Sequence, residues 1–174
     1  MIELANFIRD VPDFPKKGIV FKDITPLLAS AEAMNAAVAQ LAAPFAGQGV
    51  DVVAGIEARG FPFAALVAQR FGAGFVPVRK PGKLPGKTVS ASYALEYGSN
   101  TVELHADAVR PGQKVLMVDD VLATGGTMAA ACDLVQRLGG QVVGTAFVVE
   151  LCFLNGRQKL SRFRVHSLIH VQSE

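Results

Sequence analysis

Two kinds of apolar pattern alternate along the chain. Short continuous apolar runs are typical of buried strands, and they occur at residues 52–56, 75–78, 115–118 and 142–149. Apolar residues three or four positions apart are typical of amphipathic helices, and they occur at Met34, Val38, Leu41 and Phe45, at Phe63, Leu66, Val67 and Phe71, and at Met128, Cys132, Val135 and Leu138. This alternation predicts an α/β fold, in which residues 1–174 form a single domain with a mostly parallel central sheet flanked by helices.

Helix ends and two irregular segments complete this outline. Ser30 is a predicted N-cap, and Gly139 with Gly140 predicts the end of the last helix. Residues 10–28 contain three prolines and a glycine, so we expect extended chain rather than helix there. Residues 79–98 are polar and broken by prolines and glycines, which predicts a long loop with weak strand character. Loops of this length within a compact domain are usually functional or disordered.

Composition narrows the class of protein. Hydrophobic residues make up 51% of the 174 positions and charged residues 18%, which excludes intrinsic disorder. The formal net charge of +2 is far from the basic balance of a sequence-blind nucleic-acid binder, so we expect no nucleic-acid partner. Residues 33–50 carry no charge, but their polar residues and Pro44 argue against a membrane span. Without an evident signal peptide or a Cys-x-x-Cys pair, Cys132 and Cys152 favour a cytoplasmic protein with free thiols.

The strongest candidate site follows the predicted strand at 115–118. Residues 115–127 read Val-Leu-Met-Val-Asp-Asp-Val-Leu-Ala-Thr-Gly-Gly-Thr. The carboxylates Asp119 and Asp120 come directly after the apolar run, and open α/β sheets bind ligands at this carboxyl edge. The glycines let the backbone close on a ligand, and the first amide groups of the following helix favour an anion. We therefore expect a phosphate at residues 123–127, the phosphate loop, with hydroxyl groups or a metal near the carboxylates, as a sugar phosphate requires.

This segment also has a structural alternative. It is an ordinary strand, turn and helix in which the aspartates cap the turn. Acidic residues at strand ends and glycine turns are each common by themselves. All of these features in order within 13 residues rarely arise from packing alone, so a ligand site is favoured.

Residues 115–127 resemble the phosphoribosyl-pyrophosphate (PRPP) signature of the type I phosphoribosyltransferases. Further blocks resemble the adenine branch of that family, and they lie at residues 12–15, 18–25, 57–61, 79–86 and 92–98. The resemblance runs from residue 12 to about residue 127 and fades after Leu151. It implies the type I fold, with a purine-binding segment at about 10–28 and a flexible loop at about 79–104 over the active site. It also implies transfer of the 5-phosphoribosyl group from PRPP to adenine, giving AMP and pyrophosphate in purine salvage.

The resemblance implies a role for each matching residue. The 5-phosphate site of PRPP and AMP corresponds to Ala123, Thr124, Gly125, Gly126 and Thr127. The ribose site corresponds to Asp119 and Asp120, and the pyrophosphate site to Arg59, Lys80 and Lys83. The adenine site corresponds to Val20, Phe21 and Lys22.

Two residues of the loop complete the implied site. Glu96 resembles the family's catalytic glutamate, which manages a proton of the purine, and Tyr97 beside it would help to cover the closed site. Lys22 departs from the family, which more often has arginine there; lysine keeps the charge but lacks the planar fork of a guanidinium group. The resemblance also implies Mg²⁺ as the cofactor, held mainly by PRPP, and a homodimer.

Rival functions stay open at this point. The same chemistry on a 6-oxopurine is disfavoured by the Phe21 segment and by residues 92–98. A PRPP-sensing regulator would need a DNA-binding extension and a basic patch, which 174 residues at +2 do not accommodate. A subunit that docks others through apolar surface explains none of the motifs. The histidines, including His166 and His170, are expected to be structural or surface residues, and Glu150 is a buried polar residue of unassigned role.

Overall fold

The computed structural model describes residues 2–94 and 99–173. The strands in these ranges are β1 Arg9–Pro12, β2 Val20–Asp23, β3 Val52–Ile56, β4 Gly74–Val78, β5 Thr88–Ala94, β6 Ser99–His105, β7 Lys114–Leu122, β8 Gln141–Leu151 and β9 Val165–Val171. The α-helices are α1 Thr25–Ala29, α2 Ala31–Ala42, α3 Gly60–Phe71 and α4 Gly126–Arg137. Short 3₁₀ helices are Leu4–Phe7, Ala43–Phe45, Cys152–Leu154 and Gly156–Leu160.

The central sheet has five parallel strands in the order β4-β3-β7-β8-β9. From β3 the chain moves outward to β4 on one side and later returns to β7 on the other side. Connections therefore leave in opposite directions from β3 and β7, which creates a crevice at their carboxyl ends where ligands bind in such sheets. The predicted α/β fold with a mostly parallel sheet is confirmed.

Both faces of the sheet are covered, because alternate side chains of each strand point to opposite faces. One face packs against α1, α2 and α3, and its buried strand residues include Val53, Leu116, Val118, Ala146 and Val148. The other face packs against α4 and the β5–β6 hairpin, and its buried strand residues include Val52, Ala54, Val115, Met117 and Phe147. Burial on both faces explains why β3 and β7 read as continuous apolar runs.

The predicted helix ends are confirmed. The hydroxyl of Ser30 accepts a hydrogen bond from the backbone N–H of Ala33 at 3.2 Å, as an N-cap does. Gly139 follows α4 with a positive φ of 87°, which glycine adopts without strain. Leu66 departs from expectation, because its side chain is 36% exposed although it shares the apolar spacing of α3. Among the described residues, no helix combines the length and apolar character that crossing a membrane requires.

The prediction of extended chain over residues 10–28 is partly wrong. β1 and β2 do pair as an antiparallel hairpin, but residues 25–29 form helix α1. Pro26 lies in the first turn of this helix, where its missing N–H has no intrahelical partner to lose. Asp23 also stabilises that turn, because its carboxylate accepts from the backbone N–H and the hydroxyl of Thr25, each at 2.9 Å.

The interpretation of residues 79–98 as a long loop with weak strand character is partly wrong, because residues 88–94 form a regular strand, β5. β5 and β6 form an antiparallel hairpin, whose register pairs Thr88 with His105 and Ala94 with Ser99. The inward side chains alternate with polar ones, and they are Val89, Ala91, Tyr93, Val102 and Leu104. That period of two was a readable strand signal, which the surrounding prolines, glycines and serines obscured.

Candidate functional site

A cleft of about 550 Å³ opens at the carboxyl ends of β3 and β7. Residues 57–59 after β3, the aspartates of β7, and Ala123 and Thr127 line the side of the sheet. Arg79, Lys80, Pro81 and residues of the β5–β6 hairpin line the opposite side. The cleft therefore lies at the crevice that the strand order creates, and it has one wall from the sheet and one from the hairpin.

The phosphate loop joins β7 to α4. Gly125 has a positive φ of 76° and stands directly before Gly126, the first residue of α4. The loop borders a small pocket of about 70 Å³ that Thr124 and Thr127 also line. The first N–H groups of a helix have no partner within it and favour an anion, so the predicted loop geometry suits a phosphate group.

Gly156 supports the phosphate loop from behind, and no pattern in the sequence pointed to this residue. A Cβ at Gly156 would collide with the backbone oxygen of Ala123, and a Cβ at Gly125 would collide with the backbone oxygen of Gly156. The next residue, Arg157, is fixed by two hydrogen bonds to the buried carboxylate of Glu150, at 2.6 and 2.7 Å. Glu150 therefore has a partner, and the pair holds the 3₁₀ segment against the loop.

Asp119 and Asp120 lie within β7, since the strand continues to Leu122 and does not end before them as the sequence had suggested. The carboxylate of Asp119 accepts a hydrogen bond from the backbone N–H of Asp120 at 2.9 Å. A Cβ on Gly60 would lie 2.7 Å from Asp119 Oδ1, so glycine at the start of α3 leaves room for this carboxylate.

Burial dominates the electrostatics of the two carboxylates. Burial and the charge of Asp120 raise the pKa of Asp119 well above its ordinary value. Burial also raises the pKa of Asp120, although the guanidinium group of Arg59 opposes this, with its Nε 2.8 Å from Asp120 Oδ2. The pair is thus held at an energetic cost, which is common where carboxylates bind a ligand rather than stabilise a fold.

Arg59 links the carboxylates to the N-terminal hairpin. Its Cζ lies 4.8 Å from the centre of the Phe21 ring while its Nε contacts Asp120. The Phe21 ring is also packed edge-on against Phe14, with ring centres 5.2 Å apart. In β2, Val20 precedes Phe21 and Lys22 follows it. The ammonium group of Lys22 lies 2.7 Å from the carboxylate of Asp10. The structure therefore brings Phe21 next to the cleft through Arg59.

Glu57 fixes the start of the 79–87 segment. Its Oε2 accepts hydrogen bonds from the Arg79 Nε at 3.1 Å and from the backbone N–H of Lys80 at 3.0 Å. The hydrogen bond from Lys80, helped by Arg79, lowers the pKa of Glu57 despite its partial burial. Lys80 lines the cleft, whereas Lys83 is absent from the described lining and its backbone oxygen accepts from Arg79 at 3.0 Å.

Tyr93 on β5 is a second residue that sequence reasoning missed. Its hydroxyl accepts a hydrogen bond from the Thr127 hydroxyl at 2.8 Å, and a Cβ on Gly126 would lie 2.8 Å from its ring. The alternation of β5 placed Tyr93 on the inward face, so the signal was present. Glu96 and Tyr97, the predicted catalytic and covering residues, lie outside the residues that the structure describes.

Comparison with known families defines the class. Residues 21–170 match the family model described as the phosphoribosyl transferase domain. This match covers the strands, the phosphate loop and the carboxylates that form the cleft. A phosphoribosyltransferase is therefore the class that fold and site define together.

Individual relatives are more specific. The adenine phosphoribosyltransferase of Thermobifida fusca is 59% identical over 168 residues, which cover 97% of this chain and 96% of that one. The crystal structure of the Thermoanaerobacter pseudethanolicus enzyme of that name superimposes with a TM-score of 0.93 at 54% identity, covering 97% and 98% of the two chains. The Saccharomyces cerevisiae enzyme, crystallised with an imino-altritol bisphosphate and adenine, has a TM-score of 0.90 at 40% identity, covering 95% and 96%. The chain belongs to the adenine phosphoribosyltransferase family.

Proposed function

We propose that this chain transfers the 5-phosphoribosyl group of PRPP to adenine, releasing pyrophosphate and forming AMP. The observation that carries this function is one cleft in which the phosphate loop, two adjacent carboxylates and an arginine in contact with an aromatic ring meet. As pyrophosphate leaves, C1 of the ribose becomes cation-like, and N9 of the purine attacks from the opposite face. The protein therefore acts mainly by positioning groups, neutralising charge and excluding water.

The phosphate loop holds the 5-phosphate. The backbone N–H groups at the start of α4 and the hydroxyls of Thr124 and Thr127 supply donors. Two features support this assignment: the positive φ of Gly125 and the close packing of Gly156 against the backbone of the loop. Together they fix the loop before substrate binds. Ala123 and Gly126 complete the loop without side chains that would fill the phosphate pocket.

The carboxylates of Asp119 and Asp120 accept hydrogen bonds from the ribose hydroxyls. Both groups are held near each other inside the cleft, and hydroxyl donors relieve the cost of their burial. A bound sugar is therefore favoured, because its hydroxyl groups donate hydrogen bonds to two carboxylates whose burial is costly.

Arg59 binds the pyrophosphate. Its ion pair with Asp120 leaves the Arg59 side chain 42% exposed, so the guanidinium group can turn toward an incoming diphosphate. Lys80 reaches the same group from the wall of the cleft, and Lys83 joins it when the loop closes. A guanidinium group is suited to this task because it contacts two phosphate oxygens at once.

Adenine stacks on Phe21, with hydrogen bonds from the backbone around Val20 and Lys22. The position of the Phe21 ring beside Arg59 supports this, since a base stacked on that ring would lie next to the proposed pyrophosphate and ribose sites. The ion pair with Asp10 occupies the Lys22 side chain, which favours a backbone role for that residue. Glu96 manages the proton at the purine, and Tyr97 covers the closed site.

Magnesium is the expected cofactor. The oxygen donors that it prefers are present in the cleft as the carboxylates of Asp119 and Asp120, so the residues fit the ion. Most of its ligands are oxygens of PRPP and water. When bound, it neutralises the charge of the departing pyrophosphate.

The proposal also includes the oligomeric state of the protein and its cellular compartment. We expect a homodimer, and the apolar side chains that the described surface exposes around α3 and β4, Leu66 and Phe75, offer area for a contact. Light scattering of the purified chain measures that state. Cys132 and Cys152 are free thiols, which fits a cytoplasmic enzyme.

A chromatographic assay tests the function. Purified protein with PRPP and magnesium receives adenine, hypoxanthine, guanine or xanthine in separate reactions. We expect AMP from adenine and no nucleotide from the oxopurines. A nucleotide from an oxopurine would refute the adenine site, and PRPP binding without turnover of any base would indicate a sensor.

A further inference from the structure

A second cluster of reactive side chains lies outside the cleft. Within residues 2–94 and 99–173, one group of three side chains places metal-ligating atoms within 4.8 Å of one another, and it consists of Glu150, Cys152 and His170. These residues sit at the carboxyl ends of β8 and β9 and just beyond. None of them is proposed to touch a substrate, although Glu150 also fixes Arg157 beside the segment that supports the phosphate loop.

We propose that Glu150, Cys152 and His170 form a binding site for a transition-metal ion of the zinc type. The Cys152 Sγ lies 3.8 Å from the His170 Nδ1, and the same nitrogen lies 3.5 Å from the Glu150 Oε2. Zinc bond lengths to sulfur, nitrogen and oxygen give edges of roughly 3.3 to 3.6 Å in a tetrahedral site. These two separations are close to those edges, and the third, between Cys152 and Glu150, is at most 4.8 Å, so the atoms converge on one point after a small side-chain movement.

The fold itself produces this convergence. Glu150 and His170 are register partners in the parallel pair β8–β9, so their side chains emerge side by side on one face. Cys152 follows Glu150 by two positions, where the chain leaves the strand for a 3₁₀ helix. The four-residue spacing of the two histidines is a weak metal signal, and His170 was expected to be a structural or surface residue because no further ligands stand in pattern with it. The cross-strand register supplies partners that such spacing does not reveal.

Arg157 orients the carboxylate without occupying all of it. The guanidinium group donates to both oxygens of Glu150, and each carboxylate oxygen has two lone pairs, so Oε2 retains one for an ion. Such a partner fixes a ligating carboxylate in place, as in many metal sites.

Charge and access also fit an ion. With Cys152 as thiolate, two negative charges and one positive charge surround the point of convergence, which leaves one negative charge for a cation. The Glu150 side chain is 5% exposed and the His170 side chain 43% exposed, so a water molecule has access to a fourth position. The mixed sulfur, nitrogen and oxygen set selects zinc-like ions over Mg²⁺, which prefers oxygen alone.

Cobalt(II) spectroscopy tests the site directly. Protein freed of metal with a chelator, and without PRPP or pyrophosphate, is titrated with Co²⁺, whose bond to a thiolate gives a near-ultraviolet charge-transfer band. Zn²⁺ affinity is then measured by competition with a chromophoric chelator. We expect one ion per chain, loss of the band in Cys152→Ser, and zinc binding weakened about tenfold or more in Cys152→Ser and in His170→Gln.

Cys132→Ala is the matched control. Cys132 is buried in the core, where burial raises the pKa of its thiol to about 12, so its removal should leave the band unchanged. Wild-type protein without a band, or a band that persists in Cys152→Ser, would overturn the proposal. Because no substrate is present, these results are independent of the transfer reaction, and the wild-type spectrum decides the question even if a variant folds poorly.

Discussion

The two walls of the cleft are built in different ways. The wall from the sheet consists mainly of one continuous piece of chain, residues 119–127, with residues 57–59 beside it. The strand residues Val115 to Val118 that precede this piece are fully buried. The wall from the hairpin is polar, with alternately half-buried and exposed residues along β5. Its described contacts with the other wall join positions far apart in sequence, such as Glu57 with Arg79 and Tyr93 with Thr127.

This difference suggests that the two walls have different functions. Groups on a rigid, buried strand stay in place before substrate arrives, so they suit the binding of PRPP. A hairpin joined to the site by a few hydrogen bonds opens at lower cost, which suits a cover that carries the group acting at the purine. Substitutions in the wall from the sheet (the sheet wall) should therefore weaken PRPP binding. Substitutions in the wall from the hairpin (the hairpin wall) should slow turnover.

The largest expected effect tests the role proposed for the hairpin wall in turnover. Glu96→Ala should lower kcat by about a hundredfold or more, the usual contribution of a positioned acid or base, while PRPP affinity stays within about twofold. Steady-state kinetics and calorimetric titration with PRPP measure the two quantities. Asp107→Asn, an exposed acid in the turn that follows β6, serves as the control and should change neither. Equal losses in kcat and affinity would remove Glu96 from its catalytic role.

Gly156→Ala tests the role of the sheet wall in PRPP binding without changing a residue that is proposed to contact substrate. The added methyl group would collide with the backbone of Ala123 and lie 2.9 Å from Leu122 Cδ1, so the phosphate loop must shift. An overpacked site of this kind costs about 1–3 kcal/mol, which predicts PRPP binding weakened about tenfold with a smaller change in kcat. Calorimetric titration with ribose 5-phosphate, which needs no turnover, measures the loop alone.

Gly74→Ala is the matched control for that substitution. A Cβ at Gly74 meets its nearest neighbours at 3.9 and 4.0 Å, which is ordinary contact, so binding should be unchanged. If Gly156→Ala binds ribose 5-phosphate as tightly as the wild type, the close packing of Gly156 against the phosphate loop is not needed for phosphate binding.

The same contrast explains what could be predicted from the sequence. The sheet wall was predictable because its chemistry is local: Asp119, Asp120 and the phosphate loop stand together in the chain, and β3 was predicted with its observed bounds. The end of β7 was placed too early, because two carboxylates in a strand look like the start of a loop.

Contacts between distant segments were out of reach. Gly156 and Tyr93 acquire their positions only when the chain folds back on the phosphate loop, and the Glu150–Arg157 pair depends on the 3₁₀ segment after β8. Phe21 and Glu96 were chosen from the family resemblance, since their residue types alone would have indicated a core ring and a surface acid.

Stability provides a smaller test of the sheet wall. The raised pKa of Asp119 means that the folded state holds its proton more tightly than the unfolded state. Stability is therefore lost as pH rises from the ordinary value of 3.8 through the raised folded value. Asp119→Asn should raise Tm at pH 7, by about 2–4 °C for each kcal/mol gained, with a gain that disappears below pH 3.8, while PRPP binding weakens.

Asp23→Asn is the opposite case and serves as the comparison. Hydrogen bonds from the backbone and hydroxyl of Thr25 lower the pKa of Asp23, so its charge stabilises the fold above that pKa and the effect fades as pH falls. Thermal unfolding from pH 3 to 8 compares the two variants. A lower Tm for Asp119→Asn at pH 7 would mean that its carboxylate supports the fold.

The smallest effect concerns one of the hydrogen bonds between the two walls, the one between Tyr93 and Thr127. Its net contribution should be about 1 kcal/mol, the usual value for a hydrogen bond between neutral groups. Urea unfolding of Tyr93→Phe, Thr127→Val and the double variant gives the coupling energy, which should be of that size and should vanish when ribose 5-phosphate is bound and takes the Thr127 hydroxyl. A coupling that persists in the complex would mean that Thr127 serves the hairpin rather than the phosphate, and the two walls would then be one structural unit.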